Sequence, residues 1–146
     1  GLHMIDGTFI EHIHDRMSAE KLAELYFAEM IAAAECGLFD TIAHMDYYRK
    51  VGYEFYGDIV DKIHEPYIDD LFEALKSTNT GLELNTRALR HGLKEYYPRM
   101  AIVNRAKKAG VRMIRLGSDA HHPSEVGADF EDAINIIPPY LVEDQG

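Results

Sequence analysis

Apolar positions recur at helical spacing from Ser18 to Cys36 (SAEKLAELYFAEMIAAAEC), where Leu22, Leu25, Tyr26, Met30 and Ala33 mark one face. Glu20, Lys21, Glu24 and Glu35 face water, Ser18 suits the N-cap, and Gly37 suits the stop. The spacing predicts a helix there. Leu38 to Ala43 (LFDTIA) is a short apolar run after that stop, read as a buried strand. Tyr53 to His64 reads as a short helix, and Pro66 starts a second one, PYIDDLFEALKST. Gly81 to Thr86 (GLELNT) is a strand. Pro98 to Ala109 is helical, with lysines in its last turn and Gly110 ending it. Val111 to Leu116 (VRMIRL) is a strand running into Gly-Ser-Asp-Ala-His-His. Glu125 to Ile137 forms a final helix halted by Pro138 and Pro139, and the opening stretch Gly1 to Asp15 is irregular.

Helices and strands alternate, as crossover units on a parallel sheet require. Such sheets present ligands at the carboxyl ends of their strands. The polar residues after each strand are therefore the candidate chemistry. The first strand ends in Ala43-His44-Met45-Asp46, the second in Glu83-Leu84-Asn85, and the third in Gly117-Ser118-Asp119-Ala120-His121-His122. Imidazole nitrogen and carboxylate oxygen are ordinary ligands for Zn, Mn and Fe. If the strand continues that far, Asp119 and His121 point to one side. The plain alternative is an ordinary loop start in which Asp119 bonds its own backbone.

Composition narrows the partners. The 146 residues are 47% apolar and 27% charged, a mixture that folds as one domain over residues 1–146. The net charge of −10 excludes a nucleic-acid groove or an anionic membrane surface. Cys36 is the one cysteine, so there is no internal disulfide or Cys-rich zinc site, and it is expected to be small and buried. No run reaches the roughly 18 apolar residues of a membrane span, and no secretory leader opens the chain, so the cytosol is the default location.

The ordered motifs resemble the polymerase-and-histidinol-phosphatase (PHP) superfamily, in particular its histidinol-phosphatase branch. Gly37-Leu38-Phe39-Asp40 leads to the His44-Met45-Asp46 strand end. Leu82-Glu83-Leu84-Asn85-Thr86 follows, then Tyr97-Pro98, then Gly117-Ser118-Asp119-Ala120-His121 ahead of Pro123 and Val126-Gly127. The opening Gly1-Leu2-His3-Met4-Ile5-Asp6-Gly7 is similar to a further motif of that branch. The resemblance implies an α/β fold of parallel βα units forming part of a distorted seven-unit PHP barrel. It also implies a phosphomonoesterase with a cluster of divalent metal ions (Zn, Mn or Fe). By that likeness His3, His44, Asp119 and His121 are metal ligands, Arg90 meets a substrate phosphate, and Asn85 orients ligands from the rim.

Departures from the pattern matter as well. The branch begins with a His-x-His motif and further His, Asp and Glu ligands whose positions fall ahead of Gly1, so the chain reads as the C-terminal half of a barrel. Arg87 and Ala88 stand where the branch usually carries Ser-Gly. His12 and His14 read as solvated loop histidines, as do His64 and His91, with His122 an exposed neighbour of His121. The expected function is hydrolysis of a small phosphorylated metabolite such as histidinol phosphate, a step of histidine biosynthesis, with a weakened site in these residues alone. The rival reading is a non-catalytic binding module. A half-barrel also leaves a sheet edge for pairing with the missing half or with a second copy.

Overall fold

The computed structural model describes residues 1–136. It contains the strands β1 (Met4–Ile5), β2 (Thr8–Phe9), β3 (Thr41–Ile42), β4 (Gly81–Asn85) and β5 (Met113–Gly117). Its helices are α1 (Ala19–Glu35), α2 (Arg49–Tyr56), α3 (Ile68–Thr78), α4 (Arg87–Arg90), α5 (Met100–Ala109) and α6 (Phe130–Ile136). Strands β3, β4 and β5 form a parallel sheet in that order, with Ile42 opposite Leu82 and Asn85 opposite Gly117. Three consecutive βα units side by side are the expected parallel α/β architecture. Among the described residues β3 and β5 each have one strand neighbour. No helix among them is long and apolar enough to cross a membrane.

The long helix forms where periodicity places it. Ser18 Oγ accepts the Lys21 N–H at 3.3 Å, and the buried face carries Leu22, Tyr26, Phe27 and Met30. That face packs on α3, whose Leu71, Phe72 and Leu75 are also fully buried. Tyr26 and Tyr48 meet edge-to-face at 5.2 Å, joining α1 to the segment after β3.

Several boundaries differ from the sequence reading. Only Thr41–Ile42 of the Leu38–Ala43 run is strand; Leu38 and Phe39 are 82% and 52% exposed, because they belong to the turn leaving α1. Cys36 is exposed at the α1 C-cap, its thiol on the Ala33 carbonyl at 3.0 Å, and so is not the buried filler expected. The helix expected over 53–64 starts earlier, at Arg49, and gives way to a 3₁₀ turn over Gly57–Asp61. Gly57, at φ 64°, provides that break. Pro66 lies just ahead of α3, and Pro98 follows a cis peptide bond before α5 begins at Met100. A 3₁₀ turn over Pro123–Glu125 precedes α6, while Ile137, Pro138 and Pro139 lie outside the described residues. The opening is not wholly irregular. Asp6 and Gly7, both at positive φ, turn β1 back onto β2, the Asp-Gly chemistry of a tight hairpin.

One buried ion pair ties these parts together. Asp46 is fully buried and accepts Arg49 Nη1 at 3.0 Å, while the same nitrogen donates to the Tyr96 carbonyl at 2.7 Å. Asp46 Oδ2 also accepts the Arg99 backbone N–H at 3.0 Å, so one carboxylate fastens α2 and the start of α5 to the end of β3. Removing one partner strands the other charge in the interior. Asp46→Ala is expected to cost about 3–5 kcal/mol. Urea unfolding reads this directly; a change below about 1 kcal/mol would show the pair to be dispensable.

Candidate metal centre

The parallel sheet delivers its polar residues to one rim. His44 follows β3 at φ 34°, a left-handed turn that swings the ring back over the strand ends. The residue is 5% exposed and its Nδ1 has no hydrogen-bond partner. The His3 ring stands edge-on to it with centroids 4.7 Å apart, and Tyr47 lies 5.0 Å away. His3 reaches this place because the β1–β2 hairpin is anchored by the Ile10 N–H on the His3 carbonyl at 2.9 Å. Burial holds the His44 imidazole down to about 4, so the ring is neutral through the physiological range.

Glu83 points to the same rim from β4. Its carboxylate accepts Asn85 Nδ2 at 2.7 Å and lies over Gly117 so closely that any side chain there would collide with it. Burial raises the Glu83 carboxyl above its usual range; Asn85 opposes that, and the charge of Asp119 adds to it. Asn85 thus makes its side-chain contact on the rim with Glu83. Sequence reasoning placed Glu83 at the rim without singling it out, although its parity with Asn85 on one strand was the available signal.

The loop after β5 carries Asp119, at φ 48°, and His121, whose Nε2 is 3.4 Å from Asp119 Oδ1. The Asp119 charge bears on His3 and His44, whereas the His121 side chain is 63% exposed. Two arginines from α4 hold this loop. Arg87 Nη1 donates to the Asp119 carbonyl at 2.8 Å and to Glu125 Oε2 at 3.0 Å; that same oxygen accepts the His121 N–H at 2.8 Å. Arg90 pairs with Asp129 at 2.8 Å and donates to the Ser118 carbonyl, and its buried Nε lies 4.0 Å from Glu125 Oε1.

Of the remaining histidines, His12 and His122 are exposed as expected. His64 is not solvated: it is 4% exposed, with Nε2 3.4 Å from Glu65. Nor is His14, which stacks on Phe55. His91 is half-buried, with Nδ1 3.1 Å from the Tyr97 hydroxyl and Nε2 3.3 Å from Arg87 Nε. A local polar triad was missed altogether. Glu11 accepts Tyr47 OH at 2.8 Å and Lys50 Nζ at 2.9 Å beside His3. Residues that far apart in sequence carry no local pattern.

These donors suit a divalent ion in kind: neutral imidazole with an unpartnered nitrogen, and a carboxyl whose burial leaves its negative form undercompensated. They do not enclose one. Among the described residues no three His, Cys, Asp or Glu side chains converge closely enough to hold a metal. His3 with His44, and Asp119 with His121, form two partial donor sets on one rim.

No family model matches the chain. It is 27% identical over 139 residues to a curated "probable histidinol-phosphatase" of Clostridium acetobutylicum, covering 92% of this chain and 54% of that protein. It is 36% identical over 112 residues to one of Deinococcus radiodurans, covering 77% of this chain and 40% of the relative. A crystal structure of a Listeria monocytogenes protein assigned as a histidinol phosphatase superposes with a TM-score of 0.66 at 24% identity, over 78% of this chain and 44% of that one. The chain thus spans about half the length of the curated relatives it matches. Its fold is a portion of a PHP barrel. In sequence the chain is similar to curated proteins named probable histidinol-phosphatases.

Burial, and then the positive charges of Lys50, Arg87 and Arg90, hold the His91 ring down to about 4. A neutral His91 is therefore the folded form. From pH about 6.5 downward the unfolded chain takes up the proton first, so this contribution to stability is complete above 6.5 and is lost as pH falls toward 4. Ring-resonance titration is expected to show this depressed value and a rise in Arg87→Gln; an unshifted midpoint near 6.5 would contradict the packing described.

Proposed function

We propose that the chain is part of a metal-dependent phosphomonoesterase that acts on a small phosphorylated metabolite such as histidinol phosphate. The observation that carries the reading is the buried, neutral His44 ring with its unpartnered Nδ1, at a strand end shared with His3, Glu83 and Asp119. A bound Zn, Mn or Fe ion would supply an acidified water and neutralise phosphate oxygens. His44 and His3, with Asp119 and His121, are the residues proposed to hold it.

The chain's own groups have separate tasks. Desolvation keeps His44 unprotonated, so its lone pair stays available at neutral pH. Asn85 holds the Glu83 carboxylate in one rotamer on the rim. Arg87 fixes the Asp119 loop through that residue's carbonyl, so the Asp119 carboxylate is not spent on the arginine. Arg90 is the proposed phosphate contact, as a guanidinium held beside the loop that carries Asp119. Because the two partial donor sets do not close, the 146 residues alone are expected to bind a metal ion weakly and to turn over little substrate.

Metal titration and a histidinol-phosphate or nitrophenyl-phosphate assay with manganese or zinc test the proposal. The expected result is weak metal binding, reduced about tenfold or more in His44→Ala and in Asp119→Asn, with slow hydrolysis. Brisk hydrolysis by this chain would refute the incomplete site. Metal affinity indifferent to both substitutions would refute the ligand assignment.

A further inference from the structure

A cavity of about 460 Å³ opens between α2, the following 3₁₀ turn and the segment leading into α5. The ring of Tyr97 stands between it and the rim: His44 lies 6.4 Å from that ring, and the Arg49 guanidinium 5.7 Å from it. The cavity is therefore not part of the candidate metal centre. Its polar lining consists of Arg49, Tyr53, Asp61, Lys94, Glu95 and Arg99.

The charges in this wall are unevenly spent. Both carboxylates already have partners. Asp61 accepts the Tyr53 hydroxyl at 2.6 Å and pairs with Arg99, and Glu95 Oε2 accepts the Met100 backbone N–H at 2.8 Å. The cations retain capacity. Arg99 engages Asp61 through Nη1, and Lys94 is exposed at the mouth with no ion pair among the described residues. Arg49, 3% exposed, is held rigidly from behind by Asp46 and the Tyr96 carbonyl. Guanidinium and ammonium groups only donate, so the unsatisfied chemistry here calls for an acceptor-only ligand.

We propose that this cavity is a second ligand site, for a phosphate-type oxyanion, with Arg99 and Lys94 as its donors and Arg49 as a fixed positive wall. The site is independent of the metal reading, since none of its residues belongs to the rim set. Its volume exceeds that of a bare phosphate and admits the organic part of a phosphorylated metabolite.

The test uses the 146-residue chain freed of metal on a chelating resin and titrated with inorganic phosphate at low chloride, following backbone amide shifts. Saturable shifts centred on Gly92, Lys94 and Arg99 are expected. Affinity should fall about tenfold in Arg99→Gln and in Lys94→Ala, and be unchanged in Lys21→Ala, on the exposed side of α1. Lys94 is exposed, so Lys94→Ala decides the matter if Arg99→Gln fails to fold. Phosphate should bind more tightly than acetate. Shifts that never saturate, that centre on His3, His44 and Arg90, or that persist undiminished in Lys94→Ala would overturn the proposal, as would tighter binding of acetate. None of these outcomes depends on whether the chain binds metal or hydrolyses phosphate.

Discussion

The His44 end of the rim leads straight into a buried carboxylate that never reaches the rim itself. Asp46 comes two residues after His44, and its contacts with Arg49 and the Arg99 N–H hold the chain leaving β3 in a tight turn. A buried charge whose Arg49 and Arg99 contacts converge on one oxygen, Oδ2, can adopt few geometries, so it specifies a position more sharply than apolar packing does. The turn in turn sets His44 in its left-handed conformation and puts Tyr47, Tyr48 and Arg49 on three different surfaces. Tyr48 faces the α1 core, Tyr47 joins Glu11 and Lys50, and Arg49 forms the wall of the arginine-lined cavity. One short segment thus serves the core, the rim and the cavity together.

The same logic of close approach governs the middle of the sheet. Glu83 fits on the rim only because Gly117 offers no side chain on the neighbouring strand, and Asn85 then fixes the carboxylate's direction. Arg87 and Arg90 extend this order to the loop after β5, donating to the Asp119 and Ser118 carbonyls. The arginine at position 87, where the histidinol-phosphatase branch usually carries a serine, therefore has a structural task here.

What could be read from the sequence followed the range of the interaction. Helix α1 was legible because its apolar spacing, its Ser18 cap and its Gly37 stop are local and agree. The strand ends, and hence the neighbourhood of His44 and Asp119, were legible because parallel alternation fixes which end carries ligands. Helix α2 was misplaced because its start is determined by Asp46 and Arg49, and a buried salt bridge looks in sequence like solvated charge. His64 and His91 were misread for the same reason: a histidine in a polar run gives no sign of the Glu65, Tyr97 or Arg87 that enclose it. The β1–β2 hairpin was missed although Asp6-Gly7 announces such a turn, because strands of two residues carry no periodicity.

Protonation at the rim follows from burial more than from any pairing. Desolvation drives His44 and His91 toward the neutral ring, and it drives Glu83 toward the neutral acid against the pull of Asn85. A set of groups all displaced toward neutrality stores unpaired lone pairs in a low-dielectric setting, and that is the condition under which an incoming cation gains most. The nearest charged groups pull in different directions. Asp119 favours positive charge at both His44 and His91, whereas the amino terminus and His3 disfavour it at His44, and Lys50, Arg87 and Arg90 disfavour it at His91.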